Sequence, residues 1–179
     1  MPSFPLYLTL AGLVNQDMSA RVFQTMTTAI RDGHEEVHLL IQSTGGFIGD
    51  GIAIHNFLSA LPIKLVTYNV GYVASIAVPI YLAGQRRIAA RTATFMIHRT
   101  HTQGVSGVAA IQTAAATALR IDEENSVSIL REALKIPEAQ WAIYANADLT
   151  FTAEDGVNYG AVHELGLFAP PHGAPLYTV

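Results

Sequence analysis

The period of apolar positions switches several times along this chain, and each switch marks a new element. Leu6, Leu8 and Leu10 alternate with Tyr7 and Thr9, which predicts a first strand at about Leu6 to Leu10. Met18, Val22, Met26 and Ile30 then recur at every fourth position. That spacing predicts a helix with one buried face, with Asp17 as its N-cap and Gly33 as its end. "EVHLLIQS" (36–43) is apolar enough for a buried strand, and "TGG" (44–46) makes a tight turn. A second helix over "FIGDGIAIHNFLSAL" stops at Pro62, and "IKLVTYNVG" (63–71) forms the next strand. "RRIAA" and "ATFMIH" (93–98) are short strands, and "RTHTQGVSG" between them and the next helix is a polar loop or extended segment. Val108 to Ile136 is a long Ala-rich helix, with or without a break. A further helix covers "PEAQWAIYANA" with Pro137 in its first turn, a short one covers "TAEDGVNYG", and "AVHEL" is a closing strand or strand end.

Alternating strands and helices predict an α/β domain with parallel strands. The expected organisation is one domain over residues 1–165 and an irregular tail over 166–179, where three prolines fall. No internal repeat or low-complexity stretch interrupts it.

Leu65 to Gln85 contains no charge and is long enough to span a bilayer. Its first half is β-rich and ends at Gly71, and Pro79 falls early in its second half. Strand, turn and helix describe it better than a membrane span, with Ser75 opening the helix. The apolar start from Met1 to Val14 has no positively charged n-region, so a strand fits it better than a signal peptide. The expected location is cytoplasmic.

Composition narrows the function classes. Half of the residues are hydrophobic and 13% are charged, which suits a large core and surfaces covered by other subunits. The net charge is −4 with no basic cluster, which argues against nucleic acid as a partner. There is no cysteine, so thiolate metal sites and a cysteine nucleophile are excluded.

Three segments carry candidate chemistry. A strand followed by a turn and helix puts Ser75 at the carboxyl edge of a parallel sheet, where ligands bind. The next residue's N–H lies at a helix start, where unpaired donors favour a developing negative charge. On this stretch alone a plain N-cap serine explains as much. The glycines of "QSTGGFIGDG" (42–51) allow close backbone approach and a second such donor, or simply a tight turn. This stretch matches no nucleotide-binding loop. His98 ends an apolar strand at the same edge, and histidine is the usual base for a serine nucleophile. His98 and His101 are too close on a strand to make a good zinc pair. For the third member, Asp50, Asp122, Asp148 and Asp155 remain open. Lysine activation is disfavoured: of the two lysines, Lys64 begins the strand that leads to Ser75, over about 20 Å from its end at roughly 3.3 Å per residue. The other, Lys135, ends the long helix.

The order "STGG", "GYVAS", "FMIH" and "ADLTFTAEDGVNYGAV" resembles the proteolytic subunit of the Clp protease family. That family has a Ser-Pro-Gly-Gly turn, a Gly-x-Ala-Ala-Ser-Met-Gly serine turn and a Met-Ile-His strand. An Asp follows near the end, before Phe-x-Ser/Thr-Ala-x-Glu-Ala-x-x-Tyr-Gly. The resemblance covers about Leu6 to Leu165. It implies an α/β fold of the ClpP/crotonase type, with repeated β-α units and a protruding long helix. It implies a serine endopeptidase with Ser75 as nucleophile, His98 as base and Asp148 as acid. It further implies an oxyanion hole formed by the backbone N–H groups of Gly46 and Ile76, and a reaction that requires no metal or organic cofactor. Peptides or unfolded polypeptides are then the substrate. The implied assembly is two stacked heptameric rings enclosing a chamber, with a Clp-type ATPase or a second proteolytic subunit as possible partners.

The chain departs from the family pattern in places. Thr44 stands where proline is usual, and Tyr72-Val73 and Ile76-Ala77 flank the serine. "HRTHTQG" replaces the usual His-Gln-Pro, and Ala147 occupies a position where an arginine often pairs between rings. Family members carry an axial loop and a helix ahead of the first strand, whereas five residues precede Leu6 here. The expectation is an entrance without that guard, or one completed by another subunit. Three rival readings exist: a catalytically silent ring-forming paralogue, a crotonase-like acyl-CoA enzyme, and a Ser-Lys signal-peptide-peptidase relative.

Overall fold

The computed structural model describes residues 4–100 and 109–179. Its elements are β1 (Leu6–Ala11), α1 (Gln16–Arg31), β2 (Glu36–Ser43), α2 (Ile48–Ala60), β3 (Lys64–Ala74), α3 (Ala77–Leu82) and β4 (Arg86–Ala89). Then follow β5 (Thr94–Ile97), α4 (Ala109–Ala133), α5 (Glu138–Tyr144), β6 (Leu149–Thr152), α6 (Ala153–Asn158), β7 (Glu164–Leu165) and β8 (Leu176–Thr178). One eight-stranded sheet has the order β6-β5-β3-β2-β1-β8, with β4 branching from β3 and β7 pairing with β4. This is the expected α/β architecture.

The strand patterns follow from what covers each face. β1 and β2 bury alternate residues, with Leu8, Leu10, Leu39 and Ile41 in the main core against α1 and α2. β3 is buried without a break from Leu65 to Asn69, as a central parallel strand covered on both faces should be, and again at Val73 and Ala74. Val66, Tyr68 and Ile88 form a second, smaller cluster with Leu40 and Phe168.

α1 differs from expectation at its N-cap and at Ile30, and it ends at Gly33 as expected. Its N-cap is Asn15, whose Oδ1 accepts from the Met18 amide at 2.9 Å; Asp17 lies inside the first turn, where its charge suits the helix dipole. Met18, Val22 and Met26 are buried, but Ile30 is 37% exposed and Ala29 takes its place. A step of four residues drifts about 40° around a helix, so the third step leaves the buried face. At the far end Gly33 has φ 80°, with Gly33 N–H on the Ile30 carbonyl and His34 N–H on that of Ala29. These two bonds close the helix in a left-handed cap.

Three further expectations are corrected. β3 does not stop at Gly71 but runs to Ala74. Ile41 pairs with Asn69 and Ser43 with Val73, so β3 advances four residues while β2 advances two. Side chains satisfy the displaced amides: Asn69 Oδ1 accepts from Gly71 N at 3.0 Å, and Gln42 Oε1 accepts from Tyr72 N at 3.0 Å. The bulge also changes β3's partner, from β4 at Val66–Asn69 to β5 at Tyr72–Ala74. Secondly, β6 was not anticipated, and it pairs antiparallel with β5 in an otherwise parallel sheet. Its burial alternates at Leu149 and Phe151, but four residues are too few to stand out beside the adjoining helix. Thirdly, the tail from Gly166 is irregular only as far as Pro175. Leu176–Thr178 then pair with the free edge of β1, and Val179 is buried.

α4 is a single helix of 25 residues within the described chain. Its buried anchor is Leu130 in the last turns, while Ile111 and Ile121 are exposed. Residues 101–108 lie outside the described residues, and with them His101, most of the expected polar segment and the expected helix start at Val108. Among the described residues no helix is long and apolar enough to cross a membrane.

Asn69 is fully buried, and its Nδ2 also donates to the Thr94 carbonyl at 2.9 Å. Asn69→Ala would strand the Gly71 amide and the Thr94 carbonyl. The expected loss is roughly 1–3 kcal/mol of folding free energy, read from urea denaturation. Stability within about 0.5 kcal/mol of the parent, the usual range for an inconsequential substitution, would contradict this account of the bulge.

Candidate active site

The continuation of β3 delivers Ser75 into a tight turn. Its φ is 56°, and it is the one non-glycine with positive φ among the described residues. A left-handed serine costs on the order of 1 kcal/mol, so its surroundings must hold it there. Ser75 N–H donates to the Met96 carbonyl at 2.7 Å, which ties the turn to β5, and the Ser75 carbonyl accepts from Val78 N at 3.0 Å. α3 starts at Ala77, so Ser75 lies in the turn ahead of the helix and does not open it as expected. Pro79 falls in the first turn of α3, where a missing N–H breaks no intrahelical bond. Its carbonyl accepts from His55 Nδ1 at 2.7 Å.

The two glycines of the 44–46 turn are required by contact. A Cβ on Gly45 would lie 2.6 Å from Ser75 Cβ, and one on Gly46 would lie 2.1 Å from the Val14 carbonyl oxygen. Val14 N donates to the Gly45 carbonyl and Phe47 N to the Val14 carbonyl, both at 2.9 Å, which pins this turn to the chain after β1. The backbone of Gly46 is thereby carried to the rim beside Ser75.

His98 follows the last residue of β5. Its Nε2 lies 2.9 Å from Ser75 Oγ, and both side chains are half-buried. Gly46, Ile48, Ser75, Ile76, His98 and Thr100 line a cavity of about 90 Å³, closed by Ser126 and Leu130 from α4. Four of the five residues anticipated for the site are therefore gathered around one space. The fifth, Asp148, borders an adjoining hollow of about 380 Å³ with Arg99, Thr100, Tyr144 and Ala147. The antiparallel pairing of β5 with β6 ends at Ile97 and Leu149, so His98 and Asp148 are the residues next to the last pair on each strand. The other acids are engaged elsewhere or sit on the long helix. Asp50 accepts from Ser19 Oγ at 3.2 Å, Asp155 caps α6 through Thr152, and Asp122 lies on α4.

Burial, reinforced by the Glu123 carboxylate, pushes the Tyr144 phenol up to about 12, so this wall of the hollow carries a neutral hydroxyl at neutral pH. Lys64 Nζ pairs with Glu36 at 2.9 Å at the start of β3, the end remote from Ser75. Among the described residues no group of three or more His, Asp or Glu side chains is arranged to hold a metal ion. Sequence reasoning missed Ser126 and Leu130, which reach the cavity from a helix some fifty residues away, and Asn69, whose burial no local pattern announces.

Gly46→Ala should force the 44–46 turn off Val14. Displacement of about 1 Å is enough to cost on the order of 10²-fold in reaction rate. The measurement is the rate of Ser75 modification by a fluorophosphonate, and a rate equal to that of the parent would show that this turn takes no part in the site.

A model of the Clp protease family matches residues 6–166. Among curated relatives, the "ATP-dependent Clp protease proteolytic subunit 3" of Rhizobium etli is 26% identical over 157 residues, covering 86% of this chain and 80% of that protein. The "ATP-dependent Clp protease proteolytic subunit 1" of Mycobacterium leprae is 28% identical over 166 residues, covering 87% of this chain and 79% of the relative. In three dimensions, a ClpP1 mutant from Listeria monocytogenes superposes with a TM-score of 0.77 at 20% identity, covering 96% of this chain and 94% of that one. That likeness identifies the fold as the ClpP type.

Proposed function

The chain belongs to the Clp protease family, and on that premise we propose that it is a serine endopeptidase with Ser75, His98 and Asp148 as its triad. The observation that carries the proposal is the 2.9 Å approach of His98 Nε2 to Ser75 Oγ at a left-handed serine. Ser75 Oγ attacks the carbonyl carbon of a peptide bond while His98 Nε2 takes its proton. The tetrahedral oxyanion accepts hydrogen bonds from the backbone N–H groups of Gly46 and Ile76. Collapse breaks the C–N bond, and His98 returns the proton to the leaving amine. Water then attacks the acyl-serine by the same route and releases the second product. Asp148, accepting from His98 Nδ1–H, holds the ring in the tautomer that this sequence needs and stabilises the imidazolium.

The substrates in this reading are peptides or unfolded polypeptides. The relatives' names include the word ATP-dependent, which supports a Clp-type ATPase as partner; a second proteolytic subunit and a cytoplasmic location complete the reading. The exposed Ile111 and Ile121 on α4 support contact with further copies in stacked heptameric rings around a chamber. An acyl-CoA enzyme on this fold needs two backbone donors but not the Ser75–His98 pair, so the pair favours the peptidase.

The test uses a short fluorogenic peptide and a fluorophosphonate. Ser75→Ala should abolish both turnover and labelling. His98→Ala should lower kcat by about 10³-fold or more, since nucleophile and base act as a unit. Asp148→Asn should fold normally and lose much of the activity. Labelling at another serine, or full turnover in Ser75→Ala, would reject the nucleophile. If Asp122→Asn or Asp155→Asn proves the damaging change, the acid is misassigned.

A further inference from the structure

The chain leaves the sheet immediately after the last β5 residue, Ile97. His98 is thus one residue beyond the paired part of the ladder. The next described residues are met by a carboxylate on α4. Glu123 Oε1 accepts from Arg99 Nε at 2.6 Å, and Glu123 Oε2 accepts from the Thr100 backbone N–H at 3.3 Å. Both oxygens are therefore given to the two residues that follow His98. We infer that Glu123 is a positioning residue, whose carboxylate holds the chain leaving His98 and so keeps the imidazole on Ser75. The inference rests on the assignment of Ser75 and His98 made above.

Three observations support it. First, the Glu123 side chain is 16% exposed while that of Arg99 is 56% exposed. The anion is mostly withdrawn from water, and its charge-assisted bonds are stronger than neutral ones. Secondly, Ser126 and Leu130 follow Glu123 at the third and seventh positions, which share a helix face, and both line the cavity of Ser75 and His98. One face of α4 thus walls the cavity and grips the segment beyond the base. Thirdly, Arg99 borders the same hollow as Asp148. A guanidinium released from Glu123 becomes a competitor of His98 for the Asp148 carboxylate. Glu123 both steadies the backbone and keeps this cation occupied.

An ion pair with one exposed partner adds little to folding stability. The effect should appear in the rate and not in the melting midpoint. Glu123→Ala is expected to lower kcat on the short peptide about 10- to 100-fold, the scale of a misplaced reacting group, with KM within about twofold. Fluorophosphonate modification of Ser75 should slow by a similar factor. Glu123→Gln, which keeps the shape and one acceptor oxygen, should recover part of kcat. Adding Arg99→Gln to Glu123→Ala should also recover part, because the competing cation is gone. A kcat for Glu123→Ala within twofold of the parent overturns the inference, as does a loss confined to KM or one that tracks a fall in folded fraction. If Glu123→Ala does not fold, Glu123→Gln decides: reduced kcat at unchanged KM supports the role, and parental kcat rejects it. If Ser75→Ala retains turnover, the site assignment falls and this inference with it. If Ser75→Ala is inactive and the Glu123 variants behave as the parent, only the role of Glu123 is lost.

Discussion

The site depends on keeping one serine in a backbone conformation that serine disfavours. Ser75 reaches φ 56° because β3 overruns its pairing with β2 and transfers to β5. The transfer would strand amides in the middle of a sheet, where an unpaired donor is costly. Asn69 and Gln42 take those amides, and the Ser75 N–H goes to the Met96 carbonyl. The strain of the turn is thus held by a hydrogen-bonded frame and does not rely on Ser75's own preference.

From that turn the remaining geometry follows. The step from β4 to β5 makes β5 the neighbour of the serine turn, and His98 leaves β5 at the level of Ser75. The two glycines of the 44–46 turn remove the side chains that would collide with Ser75 and Val14. The antiparallel β6 then adds one more strand beside β5, in a register that leads to Asp148. Gly46, Ser75 and His98 follow three different strands, each in the segment just after its strand's last residue. The sheet therefore acts as a common ruler for the active edge.

Helix α4 supplies what the sheet does not. Its last turns are anchored by Leu130, and from there Ser126 and Glu123 face the site. This helix also exposes Ile111 and Ile121, so an apolar surface and one wall of the Ser75 cavity belong to the same element. Any shift of α4 against the sheet changes the cavity directly.

Much of this was written in local patterns. The alternation in Leu6–Leu10, the four-residue spacing in α1, the stop at Pro62 and the Gly33 cap all act through neighbours in the chain, so the sequence alone determined these elements and their rough limits. Ser75, Gly46 and His98 also stood out, because each sits where a strand gives way to a turn. Other features required the folded chain. Asn15 displaced Asp17 as N-cap because the bond to Met18 is a matter of geometry, not residue type. Asn69, Glu123, Ser126 and Leu130 act across the fold, and nothing in their own neighbourhoods distinguishes them from ordinary residues. The same holds for β8, which forms only because β1 leaves an open edge. Among four aspartates of similar local character, only Asp148 adjoins Leu149, the last β6 residue paired with β5. Local periodicity records how a segment buries itself; which distant groups meet is decided by sheet register and packing, and these exist only once the chain has folded.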